Sequence, residues 1–304
     1  MKYPKDAEER PEATFDVVGI GNAIVDVISH ESDQFLKEFE LVKESMALID
    51  KELAVNIYEK MSSTSQSSGG SAANTMTGIT SLGGSAAYIG KVRKDSLGEF
   101  FIQDIHNAKV HYSLDPAPNG LPTARSMIIV TPDGARTMNT YLGISTTLYK
   151  EDLDIEVLEN SKVLYCEGYI WDIEATKETI RSAIAIAKGA GRKISFTLSD
   201  SFCVLRHHQD WIDLVNGPID ILFGNEEEIQ ALSGSDTFEE AVNWVKGRVE
   251  IACLTRADKG SVIVHQEEII HINAKPVQKI VDSTGAGDLY AAGFLYGYTR
   301  ELDL

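Results

Sequence analysis

The chain has 304 residues, enough for one large α/β domain or two smaller ones, and its 43% hydrophobic content is that of a soluble globular protein. It carries 46 acidic residues against 28 Lys or Arg, and the net charge of −18 excludes a nucleic-acid surface or an anionic membrane as partner. Any phosphate compound must therefore be held by backbone amides, a divalent metal and one or two placed Arg residues.

The opening MKYPKDAEERPEATFD is charged and has no apolar signal region, and no later run reaches membrane-spanning length. FDVVGIG from residue 15 reads as the first strand, and further strands are expected at AAYIGKV from 86, SMIIVT from 126 and KVLYCEGY from 162. The series continues with ISFTLS from 194, DILFGN from 220, IACLTR from 251 and SVIVH from 261. Helical patterns fill 71–82, 96–108, 174–190, 226–232 and 237–247. Strand and helix thus alternate in the second half, the mark of a mostly parallel sheet covered on both faces.

Two stretches break the alternation, 27–55 and 110–146, the second containing TPDGAR, a hairpin-turn sequence. Excursions of this kind project from the carboxyl edge of a sheet and can close over a ligand as a lid. The Ser-rich segment 61–75 reads as a loop leading into a helix. Cys166, Cys203 and Cys253 are widely spaced and form no metal or disulfide pattern, which fits a reducing, cytoplasmic compartment.

Several familiar motifs nearly match. GIGNAI at 19–24 begins a dinucleotide fingerprint but has Ile24 at its third glycine, and GSAAYIGK at 84–91 has a wrong spacing and Val92 for a phosphate loop. GGSAA at 69 approaches a hydrolase nucleophile elbow centred on Ser71, without a preceding apolar strand. Residues 282–288, DSTGAGD, place flexible glycines before an apolar helix, a turn that suits an anion. Helix capping by Thr284 and Asp288 explains that stretch equally well.

Taken in order, Asn22 with Asp26, GGSAANT at 69–75, NEEE at 225–228 and DSTGAGD resemble the ribokinase-like (PfkB) family of carbohydrate and nucleoside kinases. Among these the chain most resembles adenosine-kinase-like members. The resemblance implies a three-layer α/β/α fold with a mostly parallel central sheet and a small discontinuous β lid. It implies one domain over residues 1–304, lid excursions at about 27–55 and 110–146, and further family segments after Leu304.

What it implies for the site is specific. Asp288 is the general base, and the amides of Gly285, Ala286 and Gly287 form an anion hole. Asn22, Asp26, Gly69, Gly70 and Asn74 bind the acceptor, and Arg136 reaches the phosphates. Asn225, Thr255, Gly260 and Thr284 bind ATP, while Glu228 holds magnesium through water. Ala257 departs from the family, which has glycine there.

The expected reaction is transfer of the ATP γ-phosphoryl group to a primary hydroxyl of a nucleoside, adenosine first, or alternatively of a sugar. The same resemblance allows a monovalent cation beside magnesium, and a monomer or homodimer. Tyr169 and Trp171 can stack a purine, though aromatic residues after a strand more often belong to the core. A sugar- or nucleotide-binding regulatory protein and a serine hydrolase acting through Ser71 are the other classes weighed.

Overall fold

The computed structural model describes residues 13–277 and 285–304. In chain order the first elements are Phe15–Ile20 (β1), Ile24–His30 (β2), Asp33–Glu38 (α1), Met46–Leu48 (β3) and Lys51–Lys60 (α2). Thr64–Gly69 (β4), Ser71–Ser81 (α3), Ala86–Ile89 (β5) and Ser96–Asn107 (α4) follow, then the hairpin Ala124–Val130 (β6) and Arg136–Tyr141 (β7). After it come Ile155–Glu159 (α5), Ser161–Glu167 (β8), Glu174–Gly189 (α6), Lys193–Thr197 (β9), Ser201–Arg206 (α7) and His208–Val215 (α8). The last are Ile221–Asn225 (β10), Glu226–Ser233 (α9), Phe238–Val245 (α10), Ile251–Thr255 (β11), Ser261–His265 (β12), Glu268–Ile272 (β13) and Ala286–Tyr298 (α11).

Eight strands form one sheet in the order β13-β12-β11-β10-β9-β8-β1-β5, parallel from β5 through β11 and antiparallel at β12 and β13. Its central strands are apolar on both faces because each face carries a helical layer. Val18, Leu164, Leu222 and Leu254 pack with α6, α8, α9 and α10, while Val17, Val163, Phe223 and Cys253 pack with α3 and α11. Residues one apart on a strand enter opposite cores, as the pleat requires. The three-layer α/β/α architecture is therefore the one expected.

Five strands form a second sheet in the order β3-β7-β6-β2-β4. Val25 and Val27 of β2 face a core closed by Phe35 and Leu36 of α1 and Ala54 and Ile57 of α2, and the alternate residues Ile24 and Asp26 face the other way. TPDGAR makes the turn between β6 and β7, where Gly134 adopts φ 85° and Thr131 Oγ1 donates to Asp133 Oδ1.

Asp26 is the third residue of β2. Two expectations change here. Residues 64–69, read as loop, are β4, an edge strand paired only with β2 in its sheet; exposed Ser and Thr are tolerated there because one face and one edge meet solvent. Within 110–146 only β6 and β7 join the small sheet, and the preceding chain bridges from His111 to Ala87 of β5 and from Ala117 to Arg93 beyond that strand.

The departure at Ala257 has a measurable cost. Its φ is 49°, a left-handed backbone that disfavours an L side chain by about 1–2 kcal/mol. Ala257→Gly relieves this while losing about 0.4–1 kcal/mol to unfolded-state entropy. We expect a net gain of about 0.5–1 kcal/mol, seen as a melting temperature raised by about 1–3 °C; an unchanged or lower value would show the turn is unstrained.

Candidate active site

A cavity of about 970 Å³ lies between the two sheets. Asn22, Asp26, Glu167, Asn225, Glu228 and Asp288 bring their polar groups to its wall from six different elements or turns.

Asp288 stands in the first turn of α11. Its Oδ1 accepts from Ser71 Oγ at 2.7 Å and its Oδ2 from Asn74 Nδ2 at 3.0 Å, both on α3. The two helices can approach because Gly78 has no side chain; a Cβ there would stand 2.6 Å from the Ala292 Cβ. Burial pushes the Asp288 carboxyl above the ordinary carboxylate range, and the two donors pull it partly back. Gly285 before the helix adopts φ 73° and supplies no side-chain cap, so the early amides of α11 have no such partner. Nothing lies within 4 Å of a Cβ built on Gly287, so that approach is open.

The glycine pair at 69 and 70 serves the protein's own groups. A Cβ on Gly69 would meet Asp26 Oδ2 at 2.5 Å, and one on Gly70 would meet the Asn22 carbonyl oxygen at 2.2 Å. Gly70 also adopts φ 97°, which turns the chain from β4 into α3. Asp26 is thereby held in a half-buried slot, and desolvation there raises its pKa to about 6, against the nearby Arg136 charge and with help from Asp288.

Asn225 and Glu228 close a reciprocal capping box on α9. Asn225 N donates to Glu228 Oε2 at 2.9 Å, Asn225 Nδ2 to Oε1 at 2.8 Å, and Glu228 N to Asn225 Oδ1 at 2.8 Å. Burial raises the Glu228 pKa to about 7, and the carboxylates of Asp200 and Glu227 add to the shift.

A family model described as pfkB family carbohydrate kinase matches residues 40–304. The chain belongs to this family. It is 26% identical over 237 residues to a fructokinase of Klebsiella pneumoniae, covering 76% of this chain and 77% of that protein. A probable sugar kinase from Rhizobium etli CFN 42 superimposes with a TM-score of 0.89 at 47% identity, over 96% of this chain and 89% of the other. The adenosine kinase from Sinorhizobium meliloti does so with a TM-score of 0.89 at 46% identity, over 96% and 90%. The protein is thus a pfkB-family kinase of the sugar and nucleoside class, using ATP as the family does.

Other expected residues of this pfkB-family kinase fall in different places. Thr255 lines the cavity at the end of β11, whereas Gly260 lies behind it, where a Cβ would meet the Ile272 carbonyl oxygen at 2.0 Å. Arg136 opens β7 opposite Val130, outside the cavity wall, and acts on the site through its charge near Asp26. Asp282 and Thr284 lie outside the described residues. Tyr169 lines the cavity, but Trp171 does not stack a ligand: it is fully buried against Phe196 and Trp211 and donates from Nε1 to Asp210 Oδ2. Ser71, the nucleophile of the hydrolase alternative, is a donor to Asp288 instead.

Glu167, at the end of β8, went unnoticed in the sequence. It is 1% exposed, lines the cavity, and accepts from Asn22 and Ala72. Burial raises its pKa to about 7, the amides of Ala72 and Asn22 oppose this, and Asp288 adds to it. A lone acid ending the apolar run KVLYCE was the available signal, since a strand end in a parallel sheet is where ligands bind.

Among the described residues no group of three or more His, Cys, Asp or Glu is gathered for a metal, and both Glu228 oxygens are already used by Asn225. That fits an ion held by phosphates and water beside Glu228, and not a cage of carboxylates. No helix among the described residues is long and apolar enough to cross a membrane.

Proposed function

We propose that the protein phosphorylates the primary hydroxyl of a nucleoside, with adenosine the preferred acceptor. The observation that carries this reading is the mixed cavity wall. Met46 and Leu48 on β3 and Phe202 on α7 line it with 42%, 56% and 67% of their surface exposed, large apolar areas left open to a ligand. A flat heterocyclic base covers such surface, and a sugar alone does not. The polar wall suits the ribose: Asn22 is buried, and its Oδ1 has no hydrogen-bond partner among the described residues. A ligand hydroxyl supplies the missing donor. The likeness to the Sinorhizobium meliloti adenosine kinase supports the same choice.

In this reading Asp288 accepts the proton of the attacking hydroxyl as its oxygen bonds to the γ-phosphorus of ATP. The bond from that phosphorus to the β,γ-bridging oxygen breaks, and ADP leaves. The early amides of α11, with Gly287 open beside them, face the charge that develops on the phosphoryl oxygens. Asp26 and Asn22 orient the acceptor, Asn225 and Thr255 the nucleotide. Magnesium, when bound near Glu228, neutralises phosphate charge. Arg136 would join the phosphates through closure of the five-stranded sheet as a lid. The buried free thiols of Cys166, Cys203 and Cys253 support a reducing compartment.

The test is acceptor-dependent ADP release over adenosine, other nucleosides, ribose and fructose, with magnesium titrated. Adenosine should give the highest kcat/KM. A higher value for either free sugar overturns the nucleoside assignment.

A further inference from the structure

We infer that Glu167 is a positioning residue, fixing the two chain crossings that meet at the site and aiming the Asn22 carboxamide into the cavity. The first crossing joins β1 to β2 at residues 21–23, and the second joins β4 to α3 at Gly70. One buried carboxylate holds both. Its Oε1 accepts from Asn22 N at 2.8 Å and from Asn22 Nδ2 at 2.9 Å, and its Oε2 accepts from Ala72 N at 2.9 Å.

Committing Nδ2 to Glu167 decides which way the carboxamide faces. The oxygen is left on the other side, buried and without a partner among the described residues, on a side chain that lines the cavity. A free Asn would present either end. Glu167 also completes α3. The residue before that helix is Gly70, which has no side chain to cap it, so the Ala72 amide is satisfied from a strand 95 positions later. On α3 stand Ser71 and Asn74, the two groups that hold Asp288. Room for this arrangement comes from Gly21, where a Cβ would stand 2.3 Å from Glu167 Oε2. A single side chain thus sets both the acceptor's hydroxyl contact and the helix that locates the base.

The kinetic arm of the test rests on the kinase reading, and the exchange arm does not. Glu167→Gln puts an NH2 group where an acceptor is needed and leaves one oxygen for two sets of donors. It should raise the acceptor KM about 10-fold or more with the ATP KM unchanged within about twofold. Native-state amide exchange at Asn22 and Ala72 should quicken by about 10-fold while exchange in β10 and β11 stays the same. Glu167→Asp, which keeps both acceptor oxygens, should recover part of each effect. Unchanged exchange at both amides, or an acceptor KM that does not move, overturns the inference; so do exchange rates raised alike throughout the chain, which mark general destabilisation. If no acceptor is turned over at all, the function fails while the exchange data still decide the role of Glu167.

Discussion

Asp288→Asn should lower kcat by about 10²- to 10⁴-fold, the span of a lost general base, without lowering the melting temperature. The substitution keeps the shape of the site: an amide oxygen still accepts from Ser71 Oγ, and Asn74 can turn its own oxygen towards the new NH2 group. Stability has the opposite sign from activity. Burial raises the folded pKa of Asp288 above its unfolded value, so the ionised form costs stability. That cost grows as pH rises from the unfolded pKa through the folded one, and is complete above it. The variant lacks the cost, so its melting temperature should exceed that of the wild type by more at pH 8 than at pH 5. In the wild type kcat/KM should rise with pH as the carboxyl loses its proton, with an acid limb above the usual carboxylate range. A kcat within tenfold of wild type in Asp288→Asn would remove the base from this position.

The second large effect is expected at Phe202. Its ring is 67% exposed in the free protein, so removing it costs little of the fold. Against a bound base the same ring is worth about 1–3 kcal/mol, the range found when stacked aromatics are replaced by alanine. Phe202→Ala should therefore raise the KM for adenosine by roughly 5- to 150-fold and leave any turnover of ribose unchanged. Equal KM values for adenosine in the two proteins would show that the base lies elsewhere, and would return a free sugar to first place.

Seven of the eight strands of the large sheet, all but β13, were legible because they are apolar runs separated by amphipathic helices; their order in the sheet was not. Helix ends at 71, 96, 174 and 226 were read to the residue. The small sheet was harder for physical reasons. In β2, IVDVISH, the alternation is present, but its polar residues include the cavity-facing Asp26 and blur the strand into a turn. In β4, TSQSSG, propensity points to a loop, and the strand exists because six of its residues pair with β2. Tertiary pairing of that kind leaves no local trace.

The site divides in the same way. Asp288 and the Asn225–Glu228 box announce themselves by local spacing at helix starts. Glu167 does not, because its partner Asn22 lies 145 residues away. The contact of Asn74 with Asp288 spans 214 residues, and only the close packing of α3 on α11 at Gly78 makes it. Trp171 shows the converse error: an aromatic after a strand belongs to the cavity or to the core depending on which face it leaves, and here that face meets α6 and α8.

The place of β1 has a consequence for the chain while it is being made. Val17 pairs with Ala86 on one side and Val163 on the other, so a strand made well before β5 and β8 becomes an interior strand of the finished sheet. At 5–20 residues per second, the interval between synthesis of Ile20 and of Glu167 is roughly 7–30 s. Throughout that interval an apolar strand keeps one row of its amides and carbonyls unpaired, the condition under which neighbouring nascent chains pair wrongly. Ribosome-bound chains stalled before β8 should accordingly be cut by protease within β1, and those stalled well beyond it should not.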